Sequence, residues 1–429
     1  MASGAVWSCA ASICSQGSSL AAMIISARIL GVAQFGALGL IQTTVGMFGV
    51  LAGLGLGLTA TRYVAETRAA NPARTGRILG LVLALSVITS LLAAAALFVT
   101  APILAARSLN APHLTAPLRA ASALLVCNAL ATTQVGALAG FEEFRGILGG
   151  TLVRAVVTLP ATAAGAWLWG LTGAVWSLSV SAASQYVFNF AALRRTCRRH
   201  GISVNLGSAL VEAPLLWRFS LPAVLSSSMT SPVLWLCSAM LANQPSGYAQ
   251  LGIFAAATQW RNAVAFFPTV ISNATLPILA SVRATAQPLA YRGALIRNLT
   301  MALLSATMVA VPLAVWPHKL MGVYGTDFTT GSSVLVISAI TGVLNSANAV
   351  IGTGIAAEAA MWWGFTFNCL WAAVLLLCAR VLVPTGLALG LAEALLLAYL
   401  SHTVWQGTYL VLRLVKRRVL ADDARVLQL

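Results

Sequence analysis

Charge is scarce in this sequence. Asp, Glu, Lys and Arg make up 8% of its 429 residues, with 25 basic and nine acidic side chains against 59% hydrophobic residues, and mean hydropathy is +0.89. So little polar surface cannot cover a water-soluble particle of this length, which places the chain in lipid. Its four histidines are widely scattered, and neither a phosphate-cradling loop nor a close carboxylate pair within an apolar run occurs. No catalytic residue is therefore expected. Six of the seven cysteines (Cys9, Cys14, Cys127, Cys237, Cys369, Cys378) sit in apolar runs without paired spacing, so no disulfide framework, metal site or cofactor is expected. No basic segment precedes Val6, and the first apolar run reads as a retained helix.

What is present is length of apolar run. Spanning hydrocarbon takes about 20 apolar residues per helix, and the continuous runs here do not show the alternating segments of a β-barrel. Twelve runs are found, near 5–27, 37–59, 78–100, 118–140, 152–169 and 171–193, then near 219–242, 250–275, 299–316, 333–354, 363–383 and 387–412. The two sets match. Ala33-Gln34-Phe35-Gly36 returns as Ala249-Gln250-Leu251-Gly252, 216 residues on; Asn128 returns as Asn345, 217 on; Leu171-Thr172-Gly173 pairs with Pro384-Thr385-Gly386, 213 on. The expected fold is an all-α integral membrane protein of about twelve transmembrane helices in two parallel six-helix lobes around a central cavity. The lobes are 1–200 and 217–429, the second ending in a basic cytoplasmic tail, with a cytoplasmic linker at 201–216.

The +16 net charge is read through its placement. With loops assigned alternately, nineteen cations fall on one side, from Arg62 through Arg194-Arg195 and Arg198-Arg199 to Lys416-Arg417-Arg418 and Arg425. Five fall on the other (Arg28, Arg107, Arg119, Lys319, Arg380), and Arg261 lies within a helix. The richer side is cytoplasmic by the positive-inside rule, with both termini there; the charge sets topology and attracts membrane lipids, and no nucleic acid is expected. Gly49, Gly53 and Gly57 recur every four residues, a spacing that admits a neighbouring backbone. Pro222, Pro232, Pro268 and Pro277 favour bends, static or gating.

Polar stripes appear where lipid would not tolerate them. Thr258, Gln259, Asn262, Thr269 and Asn273 share one helical face beside Arg261; the matched second run carries Gln42, Thr43 and Thr44. A mid-membrane arginine facing lipid costs about 3 kcal/mol, so Arg261 should face protein or water. Thr341, Asn345, Asn348 and Gly352 form a second stripe, matched by Asn128, Thr132 and Thr133. Taken singly these amides read as interhelical hydrogen bonds; taken together they read as the wall of a hydrophilic cavity. Glu393, the one carboxylate well inside an apolar run, reads as a proton or cation coupling site, a partner for a buried arginine, or a shallow group in reach of water. His402 lies roughly on the opposite helical face from it. Arg28 reads as an interfacial snorkelling side chain or as an anion contact at a cavity mouth.

The order of Gly4-Ala5-Val6-Trp7, Ala27-Arg28-Ile29-Leu30-Gly31, Phe35-Gly36, Thr61-Arg62-Tyr63-Val64-Ala65-Glu66, Gly140-Phe141-Glu142-Glu143-Phe144-Arg145, Gly247-Tyr248-Ala249 and Leu276-Pro277-Ile278-Leu279-Ala280 resembles Wzx-type polysaccharide repeat-unit flippases. These belong to the multidrug/oligosaccharidyl-lipid/polysaccharide exporter superfamily. The resemblance spans almost the whole chain, though the family's basic amino-terminal segment is not found before Trp7. It implies a bacterial inner-membrane translocase, not an enzyme, that moves an undecaprenyl-diphosphate-linked oligosaccharide outward by alternating access. It further implies Arg28, Arg261 and Arg154 as cavity cations for the diphosphate, and a polysaccharide polymerase and chain-length proteins as partners. Two other readings stand beside it: a cation-coupled multidrug-type exporter with Glu393 as the coupling residue, and a non-transporting subunit of a polysaccharide assembly. A peptidoglycan-precursor flippase ranks lower, because that group carries two further helices and no apolar run follows residue 412.

Overall fold

The computed structural model describes residues 2–215, 229–284, 288–357 and 361–426, without the side chains at 2–14, 270–284, 288–291, 356–357, 361 and 414–426. Arg218 and Pro222 fall outside the described residues, as do the side chains of Asn273, Pro277, Arg283 and Lys416-Arg417-Arg418. In hydrocarbon the backbone can bond only to itself, and every long element among the described residues is a helix. The chain forms two compact units, Met1–Gly252 and Ile253–Leu429. The first holds α1 (Ala2–Gly53), α2 (Leu56–Thr67), α3 (Pro72–Ile103), α4 (Thr115–Gly140), α5 (Phe144–Arg199), α6 (Thr230–Ala242) and the start of α7 (Gly247–Ala284). The second holds the rest of α7 with α8 (Pro288–Val315), α9 (Pro317–Gly322), α10 (Ser332–Ala357) and α11 (Met361–Val426).

Seven stretches among the described residues are long and apolar enough to cross a membrane, and three of them double back. In α1 the helix breaks at Gly31 (φ 76°, ψ 170°), and Gln42 Nε2 then meets Met23 Sδ across the two arms at 3.7 Å. In α5 it breaks at Trp169-Gly170, and Ser177 Oγ donates to the Ala161 carbonyl at 2.6 Å. In α11 it breaks at Leu387 (φ 51°, ψ −125°), and Gly390 lies against the Leu382 carbonyl. In α5 and α11 a glycine at the tight crossing lets the arms approach. The runs expected at 152–169 and 171–193 are the arms of α5, and those at 363–383 and 387–412 are the arms of α11.

These turns correct one repeat pairing. Gly170 and Leu387 are 217 residues apart, and so are Gly173 against Gly165 in α5 and Gly390 against Leu382 in α11. The match of Leu171-Thr172-Gly173 with Pro384-Thr385-Gly386 is thus one helical turn out of register, because residue identity there does not track the turn. The glycine stripe at 49, 53 and 57 also changes meaning. The chain turns through left-handed Leu54 and Gly55, so Gly57 belongs to α2, where it abuts Gly136 of α4 backbone to backbone, while Gly53 has nothing within 4 Å of its would-be Cβ.

Expected linker residues are bound tightly to α3. Asn71 caps that helix, accepting from the Arg74 amide at 2.9 Å, with Pro72 in the first turn. Ile202 enters the core formed by Val64, Ile78, Leu79, Leu193 and Cys197. The backbone of Ser203 and Asn205 lies in notches left by Gly76 and Gly80, where a Cβ would collide, and the Asn205 amide donates to the Gly76 carbonyl at 3.1 Å. Buried Glu212 then accepts from Arg74 Nε and Arg77 Nη2, each at 3.2 Å. Because both arginines are partly exposed, Glu212→Gln is expected to cost about 1–2 kcal/mol, lowering the thermal midpoint of purified protein and opening residues 203–212 to protease. An unchanged midpoint and cleavage pattern would show the clasp to be dispensable.

The amino-terminal unit also takes in α6 and the start of α7. Fully buried Thr44 accepts from Trp235 Nε1 at 2.9 Å and donates to the Leu40 carbonyl at 2.8 Å. Gly36 and Gly252, equivalent in the repeat, touch: Gly252 sits against the Val32 carbonyl and Gly36 against the Tyr248 carbonyl.

Candidate functional site

In the first unit the α5 hairpin brings Arg154 opposite Gln185. They lie 15 residues before Trp169 and 15 after Gly170, so a symmetric turn places them at one depth. Arg154 Nη1 donates to Gln185 Oε1 at 3.1 Å and to Asn128 Oδ1 of α4 at 3.2 Å. Among the described residues no carboxylate pairs with Arg154. Neutral amide oxygens orient a guanidinium without cancelling its charge, so the cluster is a fixed positive site in an apolar segment. Arg154 is half-buried, and both of these bonds leave from Nη1 alone.

The other expected residues of this unit do not join that cluster. Gln42 contacts Met23 as described, and Thr43 returns its hydroxyl to the Leu40 carbonyl at 2.8 Å. Arg28 is exposed, three residues before the Gly31 turn.

In the second unit Arg261 of α7 packs its stem on α10, where a Cβ at Gly342 would lie 3.3 Å from Arg261 Cγ. Its Nη1 is buried without a hydrogen-bond partner among the described residues. Asn348 is buried and donates to the Tyr399 carbonyl at 3.3 Å. Asn345 and Gln259 are half-buried and Asn262 is exposed. Glu393 is half-buried, six residues past the Leu387 turn, which places it about 9 Å along the helix from that end.

Sequence reasoning singled out Asn128 but not Gln185 or Tyr399. The signal for Gln185 was available as its equal distance from the Trp169-Gly170 turn. Tyr399 carried none, since an aromatic in an apolar run is ordinarily packing.

Comparison with known proteins agrees with this architecture. Residues 1–283 match the family described as Polysaccharide biosynthesis protein. A protein of Ralstonia nicotianae named EPS I polysaccharide export inner membrane protein EpsE is 25% identical over 96% of this chain and 95% of its own length. Its Ralstonia solanacearum namesake is 31% identical over 38% of this chain and 37% of its own. Among solved structures, a multidrug resistance MATE family transporter of the MOP superfamily in an inward-facing conformation superposes with TM-score 0.78 at 14% identity, covering 96% of this chain and 99% of that one. An outward-facing one gives 0.71 at 13% identity, covering 97% and 96%. At such identities the likeness shows the fold. A multi-pass all-helical membrane protein with the architecture of MOP superfamily transporters, this chain belongs to the polysaccharide biosynthesis protein family.

Proposed function

We propose that this protein is a flippase carrying an undecaprenyl-diphosphate-linked oligosaccharide repeat unit from the cytoplasmic to the periplasmic leaflet of the bacterial inner membrane, for surface polysaccharide assembly. It does so by alternating access of two six-helix lobes, 1–200 and 217–429, with both termini cytoplasmic. The observation that carries the reading is Arg154: an oriented cation in an apolar segment, held only by neutral oxygens, has its charge available to an anionic ligand. Two relatives named for polysaccharide export from the inner membrane support the substrate class. A polysaccharide polymerase and chain-length proteins are the partners this role calls for.

The test is a deletion strain lacking any redundant flippase. It is expected to lose surface polysaccharide and accumulate lipid-linked repeat units on the cytoplasmic face; normal export would overturn the proposal. In the same strain Arg261→Ala is expected to abolish export with protein still in the membrane, and Arg261→Lys to restore part of it, since both are cations. Equal export by Arg261→Ala and wild type would reassign Arg261 to packing. Drug sensitivity of a Glu393→Gln strain is expected to equal that of wild type. A rise in sensitivity would favour the multidrug-type exporter.

A further inference from the structure

The 217-residue shift that superposes the two hairpin turns carries the Arg154 cluster onto three residues of the second unit. Asn128 falls on Asn345, Arg154 on Trp371 and Gln185 on His402. Trp371 and His402 stand 16 residues before and 15 after Leu387, matching the depths of Arg154 and Gln185. The arms do meet there: the Trp371 and Tyr399 rings are 5.5 Å apart, and Tyr399 is one turn from His402. In the first unit this niche contains a permanent cation. In the second an indole replaces the cation and an imidazole replaces the amide, so charge at the niche depends on a proton.

His402 itself is buried. The ring is 8% exposed, and neither nitrogen has a partner among the described residues. Gly354 of α10 packs against both Leu295 of α8 and Leu410 of α11, a Cβ there lying 3.3 Å from each. From that level Asn298 is one turn along α8 and Gln406 one turn back along α11. Successive helices alternate in direction, so both steps lead the same way into the bundle. Asn298, 3% exposed, has both amide atoms unpartnered, and Gln406, 5% exposed, has its carbonyl oxygen unpartnered. His402 lies a further turn in.

Few charges face the ring. α10 has no titratable side chain, and α8 offers Arg292 and Arg297, both exposed, the side chain of Tyr291 lying outside the described residues. The first arm of α11 offers Cys369, Cys378 and exposed Arg380; the second offers Tyr399, Tyr409, exposed Arg413 and Glu393, nine residues off and roughly on the other face. From α7 comes half-buried Arg261.

We infer that His402 is a proton-binding site inside the second unit, equivalent in the repeat to Gln185, and that a proton there gives this unit the positive charge the first unit carries permanently. The proton comes from water and adds to the free lone pair of the ring. The buried amide oxygens of Gln406 and Asn298 are of the class that accepts from the resulting imidazolium. A link to transport rests on the flippase reading: a bound diphosphate favours the protonated ring, and by reciprocity the proton favours the diphosphate.

The test uses full-length protein in lipid nanodiscs with His113, His200 and His318, all exposed, replaced by glutamine, leaving one nitrogen-15-labelled histidine. Its nitrogen signals are followed by magnetic resonance from about pH 3.5 to about pH 8, a window extended downward because burial disfavours a charged ring, with and without undecaprenyl diphosphate, and assigned by their loss in His402→Gln. One reversible titration in that window is expected, with proton affinity raised at least about fivefold by the lipid. A ring fixed in one protonation state under both conditions would overturn the inference. If the lipid binds without shifting the titration, the coupling is refuted. If the ring titrates and the lipid does not bind, the proton site stands and the flippase substrate falls.

Discussion

Replacing Arg154 by glutamine is expected to reduce polysaccharide export at least about a hundredfold while leaving protein levels in the membrane unchanged. The substitution removes the cation but keeps a side chain able to donate to Asn128 and Gln185, which now accept from Arg154 at 3.2 and 3.1 Å. Packing is therefore disturbed little and charge completely. A charge-assisted contact to an oxyanion contributes about 1.5–3 kcal/mol, which corresponds to roughly ten- to a hundredfold per contact, and a bidentate guanidinium makes two. Arg154→Lys is expected to recover part of the loss, since a point cation attracts the anion but lacks the planar fork that holds an oxyanion bidentately. Cell-surface polysaccharide in a complemented deletion strain, normalised to membrane-extracted protein, is the measurement. Wild-type export by Arg154→Gln would remove this arginine from the mechanism and leave it a helix-packing residue.

The largest structural effect is expected at Gly136. A Cβ there would lie 2.6 Å from the Gly57 carbonyl carbon and 2.7 Å from its Cα, so α2 and α4 must separate before any side chain fits. Side-chain overpacking costs about 1–3 kcal/mol, and pressing on backbone rather than a flexible side chain reaches the upper end or exceeds it. Gly136→Val is accordingly expected to leave little monodisperse protein after detergent extraction. Gly53→Ala belongs to the same sequence stripe and meets nothing within 4 Å, so it is expected to behave as wild type. Equal yields for the two variants would mean the α2–α4 crossing is not limiting for folding.

The contrast between Gly53 and Gly136 shows what could be read ahead of the structure. Four-residue spacing identified small residues, but the left-handed break at Leu54 and Gly55 moved Gly57 onto another helix and took Gly53 out of any crossing. Spacing reports a face only while one helix continues. The polar stripes divide in the same way. Asn128 was marked by its repeat partner and Arg154 by its charge, and the α5 hairpin joined them with Gln185. Arg261 and Asn348 were marked as polar groups in apolar runs, and Asn348 reaches the carbonyl of Tyr399, a residue that had no such mark.

What the sequence determined by itself is the solvent and the class of element: with 8% charged residues and twelve apolar runs, hydrocarbon leaves a backbone only helices to form here. The duplication was legible too, because both halves meet the same membrane and keep the same number of apolar runs in the same order. Only the tertiary structure decided the register of that duplication, since helical turns, rather than matching letters, fix which residues share a depth. Once Gly170 aligns with Leu387, the permanent cation of one unit and the titratable ring of the other fall at equivalent places.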